Sequence, residues 1–262
     1  MPEMVEPRSG AVRVIRAAVI VGIVLALIFG IPLVLRGLNL HDWSKQTFGP
    51  NGFYELFIAT EFVVIVLAVI AMWRAGLRRA FGELAIAYLS PLGCLCCLAA
   101  IAASCAILLL AGAKWTTQRM DSLLIFGVIG PFVEEVLFRG FLFRQMRRWA
   151  GVPFWIAAVL ASILFGAGHF YAGHSLANAI VNSTVTFVGG VIFCWMIERW
   201  DSIWPGFIIH AGLNLLWSVY TLGDNAVGGT IGNIARIATL VIAIVLTWAL
   251  TRKNSVSLHP GH

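Results

Sequence analysis

Charge is what this chain has least of. Of its 262 residues, 11% are charged and 60% are hydrophobic, whereas a soluble domain carries about 25% charged residues. That scarcity excludes an ordinary soluble domain and points to a polytopic membrane protein. Cysteine is scarce too. Cys94, Cys96, Cys97, Cys105 and Cys194 all lie in apolar runs and read as small buried hydrophobes. No pair of CxxC units suggests a zinc ribbon, and no HExxH suggests a zinc hydrolase. The net charge is +6, but no basic patch with stacking aromatics accompanies it, so nucleic acid is not an expected partner. The basic residues sit instead in short connecting segments, the pattern that sets membrane orientation.

What is present is a series of long apolar runs. Eight spans are predicted, near 17–36, 53–73, 85–112, 122–143, 153–172, 177–197, 203–221 and 231–250, each close to the roughly 20 residues that cross a bilayer. The fold class expected is therefore all-α, a polytopic transmembrane helical bundle. The first run, Ala17 to Leu35, is too long for a typical signal segment and reads as a span. The third contains "SPLG" at 90–93, where a kink or a later start is expected. The longest loop is expected from Gly37 to Asn51. Twelve basic residues, from Arg8, Arg13 and Arg16 through to Arg252 and Lys253, fall on one side of this arrangement. Arg36, Lys45, Lys114 and Arg119 fall on the other, with Arg236 just inside the last span. Both termini are therefore expected to be cytoplasmic. Three parts are expected: N-terminal helices over 1–121, a polar-site core over 122–220, and a last span with its tail over 221–262.

Against this background "PFVEEVLFRG" at 131–140 stands out. A charged group at mid-span costs roughly 2.5–3.5 kcal/mol, so it persists only facing protein or water and is a functional candidate by default. Glu135 and Arg139 are four apart and can pair on one helical face. Glu134 is rotated about 100° from Glu135 and needs a partner from another helix. Phe165 and His169 share a face of the fifth span, and His210 and Asn214 share a face of the seventh. Glu134 lies 17 residues before Gly151 and His169 lies 17 after Val152. An antiparallel hairpin would thus hold them at one level, and His169 is the expected partner of Glu134. Glu61 is a further acid in the second span, either paired with the core, touching substrate or snorkelling. A buried glutamate beside a histidine can deprotonate water. A second histidine and an asparagine amide can donate to a carbonyl oxygen as it gains charge.

In order and on separate spans, "EEVLFR", "FGAGH" and "HAGLN" resemble the motifs of the type II CAAX prenyl protease and bacteriocin-processing (CPBP, Abi) family. The resemblance covers about residues 122–220. It implies an intramembrane endopeptidase that cuts near the membrane in a lipidated or membrane-anchored tail. It further implies Glu134 as the water-activating base, His169 helping to hold that water, and His210 with Asn214 as the oxyanion site. Glu135 and Arg139 would be accessory, and Phe165 would line the site. No cofactor is expected, with zinc as the alternative. The expected partners are a membrane protein or lipidated peptide substrate and the lipid bilayer, most plainly a bacterial inner membrane. Two other readings use the same residues: a proton- or ion-coupled transporter, and a non-catalytic immunity or scaffold protein on the same fold. "GHSL" at 173–176 and "LGDN" at 222–225 lack the glycines of serine- and aspartyl-type intramembrane proteases and are set aside.

Overall fold

Leucine, isoleucine, valine and alanine dominate the long runs, and in a lipid environment such runs must satisfy their own backbone hydrogen bonds as helices. The computed structural model describes residues 10–170, 175–222 and 228–252. Arg8 and Lys253 lie outside the described residues, as do Gly173 and His174 of "GHSL" and residues 223–225 of "LGDN". Ten helices are described: α1 (Gly10–Gly37), α2 (Leu40–Phe48), α3 (Gly52–Trp73), α4 (Leu77–Glu83), α5 (Pro91–Leu110), α6 (120–148), α7 (Phe154–Gly168), α8 (Leu176–Trp200), α9 (Trp204–Val219) and α10 (Thr230–Thr251). No strand occurs among the described residues; Trp115 and Tyr220 form an isolated bridge. The all-α bundle is as expected.

Five helices, α1, α3, α5, α8 and α10, are long and apolar enough to cross a membrane, so the chain is a multi-pass membrane protein. The later start expected at 90–93 is found, and other boundaries differ from the sequence expectation. The run at 85–112 becomes helical only at Pro91, after Ser90 takes a left-handed backbone (φ 47°) and Pro91 fills the first turn, where its missing N–H has no partner to lose. The 37–51 loop contains the amphipathic helix α2, whose polar residues hide it from a hydropathy window. The run at 153–172 yields α7, 15 residues long, ending at Gly168 before His169. The run at 122–143 extends at both ends, so Arg144, Arg147 and Arg148 lie inside α6 instead of after it.

Helix α6 is the axis of the bundle. It packs against α1, α3, α7, α8 and α9, and every residue from Glu135 to Met146 is buried, as expected for a helix apolar on all sides. It is not regular. Ile125–Ile129 and Val136–Phe143 have π geometry. The first π turn ends two residues before Pro131, whose ring cannot continue an α-turn without clashing with the carbonyl four residues back. The second carries Arg139. Wide turns of this kind are rare and concentrate at functional sites.

Small residues set the distances around α6. A Cβ on Gly140 would lie 2.7 Å from the Leu84 carbonyl oxygen. Hairpin α7–α8 closes through Gly166, which faces the Ser183 carbonyl, and Gly190, which faces Ser162. Helix α9 packs on α5, and α5 on α10, where Ser104 Oγ donates to the Ala235 carbonyl at 2.7 Å. One end of the bundle is basic and tied together. Arg16 donates to the Trp149 carbonyl at 2.8 Å, Arg147 pairs with Glu198 at 2.6 Å, and Arg148 pairs with Glu83 at 3.1 Å. Arg144 bridges the Glu83 carbonyl and Asp201. Cys94, Cys96, Cys97 and Cys194 are buried free thiols, with Cys105 half-buried, as expected of apolar filler.

Candidate active site

Helix α6 delivers two glutamates to two different surroundings. Glu135 is 1% exposed and its Oε1 lies 3.1 Å from Arg139 Nη1, one turn on. The guanidinium carbon lies over the Phe165 ring, 4.1 Å from its centroid, and over the Phe193 ring at 5.1 Å. Arg139 is thus held by one carboxylate and two aromatic faces, an arrangement suited to a weakly hydrated planar cation. Glu135 also approaches α9. Its Oε2 lies 3.5 Å from where a Cβ on Gly206 would sit, an ordinary van der Waals contact.

The same Glu135 Oε1 lies 2.9 Å from His210 Nδ1. An ionised carboxylate only accepts, so Nδ1 carries the proton. That leaves Nε2 facing the other glutamate, with Glu134 Oε2 at 3.6 Å. The gap is too long for a hydrogen bond. A water bonded to both atoms would sit beside the gap, not within it. Glu134 is the more open of the two acids, its side chain 30% exposed. The expected partner of Glu134 was His169, and here the structure corrects the expectation: among the described residues no hydrogen bond or ion pair joins them. Equal counts from a turn bear on depth only, and depth does not fix the direction in which a side chain points.

His169 caps the C-terminal end of α7. Its Nδ1 lies 2.9 Å from the Phe165 carbonyl, which can only accept, so this ring is protonated on Nδ1 and its Nε2 is an acceptor when neutral. Asn182 of α8 donates to the His169 backbone carbonyl at 3.0 Å and holds the segment. Phe165 is buried and packs edge-on against both histidines. On α9, one turn past His210, Asn214 Nδ2 donates to the Phe126 carbonyl at 3.3 Å. Phe126 belongs to the first π turn of α6, where the helical bonding pattern is shifted.

These groups border one cavity of about 370 Å³. Phe165, His169, His210 and Asn214 line it, together with Phe126, Phe193 and Arg236. Glu134 reaches this wall through His210. Behind Glu134 stands α3. Glu61 is buried, and it and Tyr54 both lie within electrostatic reach of Glu134. The Tyr54 hydroxyl packs onto Gly130, one helical turn before Glu134, and its ring stacks on Phe126 at 5.1 Å. Glu61 therefore packs with the core and does not snorkel. Asn182, Phe193 and Tyr54 had no sequence motif to mark them. Arg236 had one signal, a cation inside an apolar run, and was counted only for orientation.

Zinc takes three or four converging His, Cys or carboxylate ligands. Glu134, Glu135 and His210 converge, but among the described residues no group of three or more His, Cys or carboxylate side chains has an arrangement that could hold a metal ion. His169 and His210 each direct Nδ1 at an oxygen acceptor, not at a common point.

Residues 116–216 match the family model of the type II CAAX prenyl endopeptidases, Rce1-like. The matched segment contains Glu134, Glu135, Arg139, Phe165, His169, His210 and Asn214, and it leaves Tyr54, Glu61 and Arg236 outside. No curated protein and no solved structure matches the chain.

Proposed function

We propose that the chain is an intramembrane endopeptidase of the glutamate type, since residues 116–216, which hold both glutamates, both histidines and Asn214, match the Rce1-like type II CAAX prenyl endopeptidase family model. The substrate is a lipidated or membrane-anchored tail, cut at a peptide bond near the membrane, in a bacterial inner membrane with both termini in the cytoplasm. The observation that carries the reading is His210, bonded to Glu135 and facing Glu134 in the wall of a cavity that also holds His169 and Asn214.

Glu134 takes a proton from a water as the water oxygen attacks the scissile carbonyl. His169 Nε2 accepts the second hydrogen of that water. The carbonyl oxygen becomes an oxyanion. It is met by the second N–H of the Asn214 amide and by Nε2–H of His210 in its protonated form. Glu135 supports the charge on His210, and Arg139 holds Glu135 in place. Collapse of the tetrahedral species breaks the C–N bond, and Glu134 passes its proton to the leaving amine. No metal enters this scheme.

The test is cleavage of a set of membrane-anchored and prenylated peptides by the purified protein, compared with Glu134→Ala and His169→Ala. Wild type is expected to cut at least one peptide, with both variants reduced by 100-fold or more, the order of effect of a lost general base. Activity should survive a strong chelator. Normal cleavage by both variants would sink the mechanism, and loss of activity on chelation would restore the zinc alternative.

A further inference from the structure

Two glycines stand side by side in α8, and packing explains only one of them. A Cβ on Gly190 would lie 2.8 Å from Ser162 Oγ and 2.9 Å from Ser162 Cβ, so this glycine lets α7 and α8 close on each other. A Cβ on Gly189 would meet nothing within 4 Å. Its backbone is ordinary helix, which any residue adopts. Glycine inside a helix is disfavoured relative to alanine, and here neither a contact nor the backbone requires it. What Gly189 does border is the cavity that holds His169, His210 and Asn214. The wall around it is largely apolar: Val185 of α8, Leu213 of α9 and Leu240 of α10 line the same cavity. Phe193, one turn after Gly189, has its ring centroid 6.0 Å from that of His210.

We propose that Gly189 sets the size of the substrate side chain admitted beside the scissile bond. The space left by its missing side chain receives a bulky apolar side chain within about two residues of the carbonyl being cut. The inference rests on the endopeptidase reading above. The distance follows from α8. Four residues of helix separate Gly189 from Phe193, or about 6 Å, and Phe193 packs against His210. An extended peptide advances about 3.3 Å per residue, so about two residues cover that step. A pocket of this kind discriminates by volume. Each methylene that fits adds apolar contact, and each that does not fit displaces the peptide from the reacting groups. An added Cβ at Gly189 would project into the cavity and not into the packed core, so it would shrink the pocket and leave the fold in place.

The experiment measures binding as well as turnover. Full-length Glu134→Gln protein in nanodiscs is titrated with fluorescent lipidated peptides ending in three apolar residues, each position in turn alanine, leucine or phenylalanine. Empty nanodiscs supply the background. At one position the large side chains are expected to bind more tightly than alanine. Adding Gly189→Ala should lower this large-to-small ratio by roughly 10-fold, and Gly189→Val should lower it further, within the 10- to 200-fold that one methylene is worth in an apolar pocket. Gly189→Ala should melt at or above the parent protein, since alanine fits the helix and meets no neighbour. A parent protein without size preference at any position overturns the proposal. So does a ratio unchanged in both variants, an equal loss for large and small peptides, or a lowered Tm for Gly189→Ala, which would show the position to be packed. The turnover arm repeats the series with Glu134 present and reads kcat/KM. Cleavage with the large-to-small ratio unmoved by Gly189→Ala and Gly189→Val refutes the role of Gly189 and leaves the endopeptidase standing. A ratio that shifts in binding while no peptide is cut keeps the size-selecting pocket and refutes the endopeptidase.

Discussion

Two adjacent glutamates should fail in opposite ways. Glu135 is 1% exposed, is ion-paired with Arg139 at 3.1 Å and accepts from His210 at 2.9 Å. Glu135→Ala leaves a guanidinium, itself 1% exposed, without its counter-ion. Breaking a buried pair in this way costs about 3–5 kcal/mol. Glu135→Gln keeps the volume and an acceptor oxygen for His210, and loses the charge assistance, about 1.5–3 kcal/mol. Glu134 is 30% exposed with its nearest ionic partner at 3.6 Å, so Glu134→Gln should cost under about 1 kcal/mol. For a chain of this size 1 kcal/mol moves Tm by about 2–4 °C. The expected falls are then roughly 6–20 °C for Glu135→Ala, about 3–12 °C for Glu135→Gln and under about 4 °C for Glu134→Gln. A fluorogenic maleimide reads the transition, because four of the five thiols are buried and react on unfolding. Activity should run the other way, with Glu134→Gln inactive though nearly as stable as wild type. A Glu134→Gln protein that melts as low as Glu135→Ala, or a Glu135→Ala protein that melts like wild type, would refute this division of roles.

Other outcomes follow from single contacts. Asn214→Ala should lower kcat by about 10²–10³, the cost of one oxyanion donor, with KM little changed; an unchanged kcat would remove Asn214 from the oxyanion site. Gly140→Ala places a Cβ 2.7 Å from a backbone oxygen that cannot rotate away. It should cost about 1–3 kcal/mol, seen as a lower Tm, and an unshifted Tm would show that the α6 approach to Leu84 is slack. Phe165→Leu removes the aromatic face beneath Arg139. It should destabilise by about 1–3 kcal/mol through lost ring contacts, and a melting curve matching wild type would show that the stacking contributes nothing.

The parts of the site legible in the sequence are those that depend on one helix. Glu135 and Arg139 pair because residues four apart share a face wherever the helix sits. Phe165 with His169, and His210 with Asn214, follow the same rule, and each pair does line the one cavity. Hydropathy likewise marks a membrane bundle because lipid leaves backbone groups no other partner than a helix. The errors were of a different kind. Helix α2 was read as loop because its length and polarity do not suit a span. The π turns of α6 leave no mark on composition beyond Pro131, yet one of them carries the carbonyl that holds Asn214.

The choice of partner for Glu134 shows where local rules end. Counting from a turn gives depth along the membrane normal, and by that measure His169 was a fair candidate. Which side chain meets Glu134 depends on rotation of the helices and on how closely α9 approaches α6. Gly127 opposite Leu215 permits that approach, since a Cβ there would lie 2.6 Å from the Leu215 side chain. Residues 75 positions apart then meet, with His210 between two carboxylates. Arg236 is a similar case, since only the packing of α10 against the end of α9 brings it to Trp217 and into the cavity. Spacing within a helix fixes which residues can share a face, because rise and twist are constants of the backbone. Contact between helices is decided by side-chain shape over the whole bundle, and no short stretch of chain contains that information.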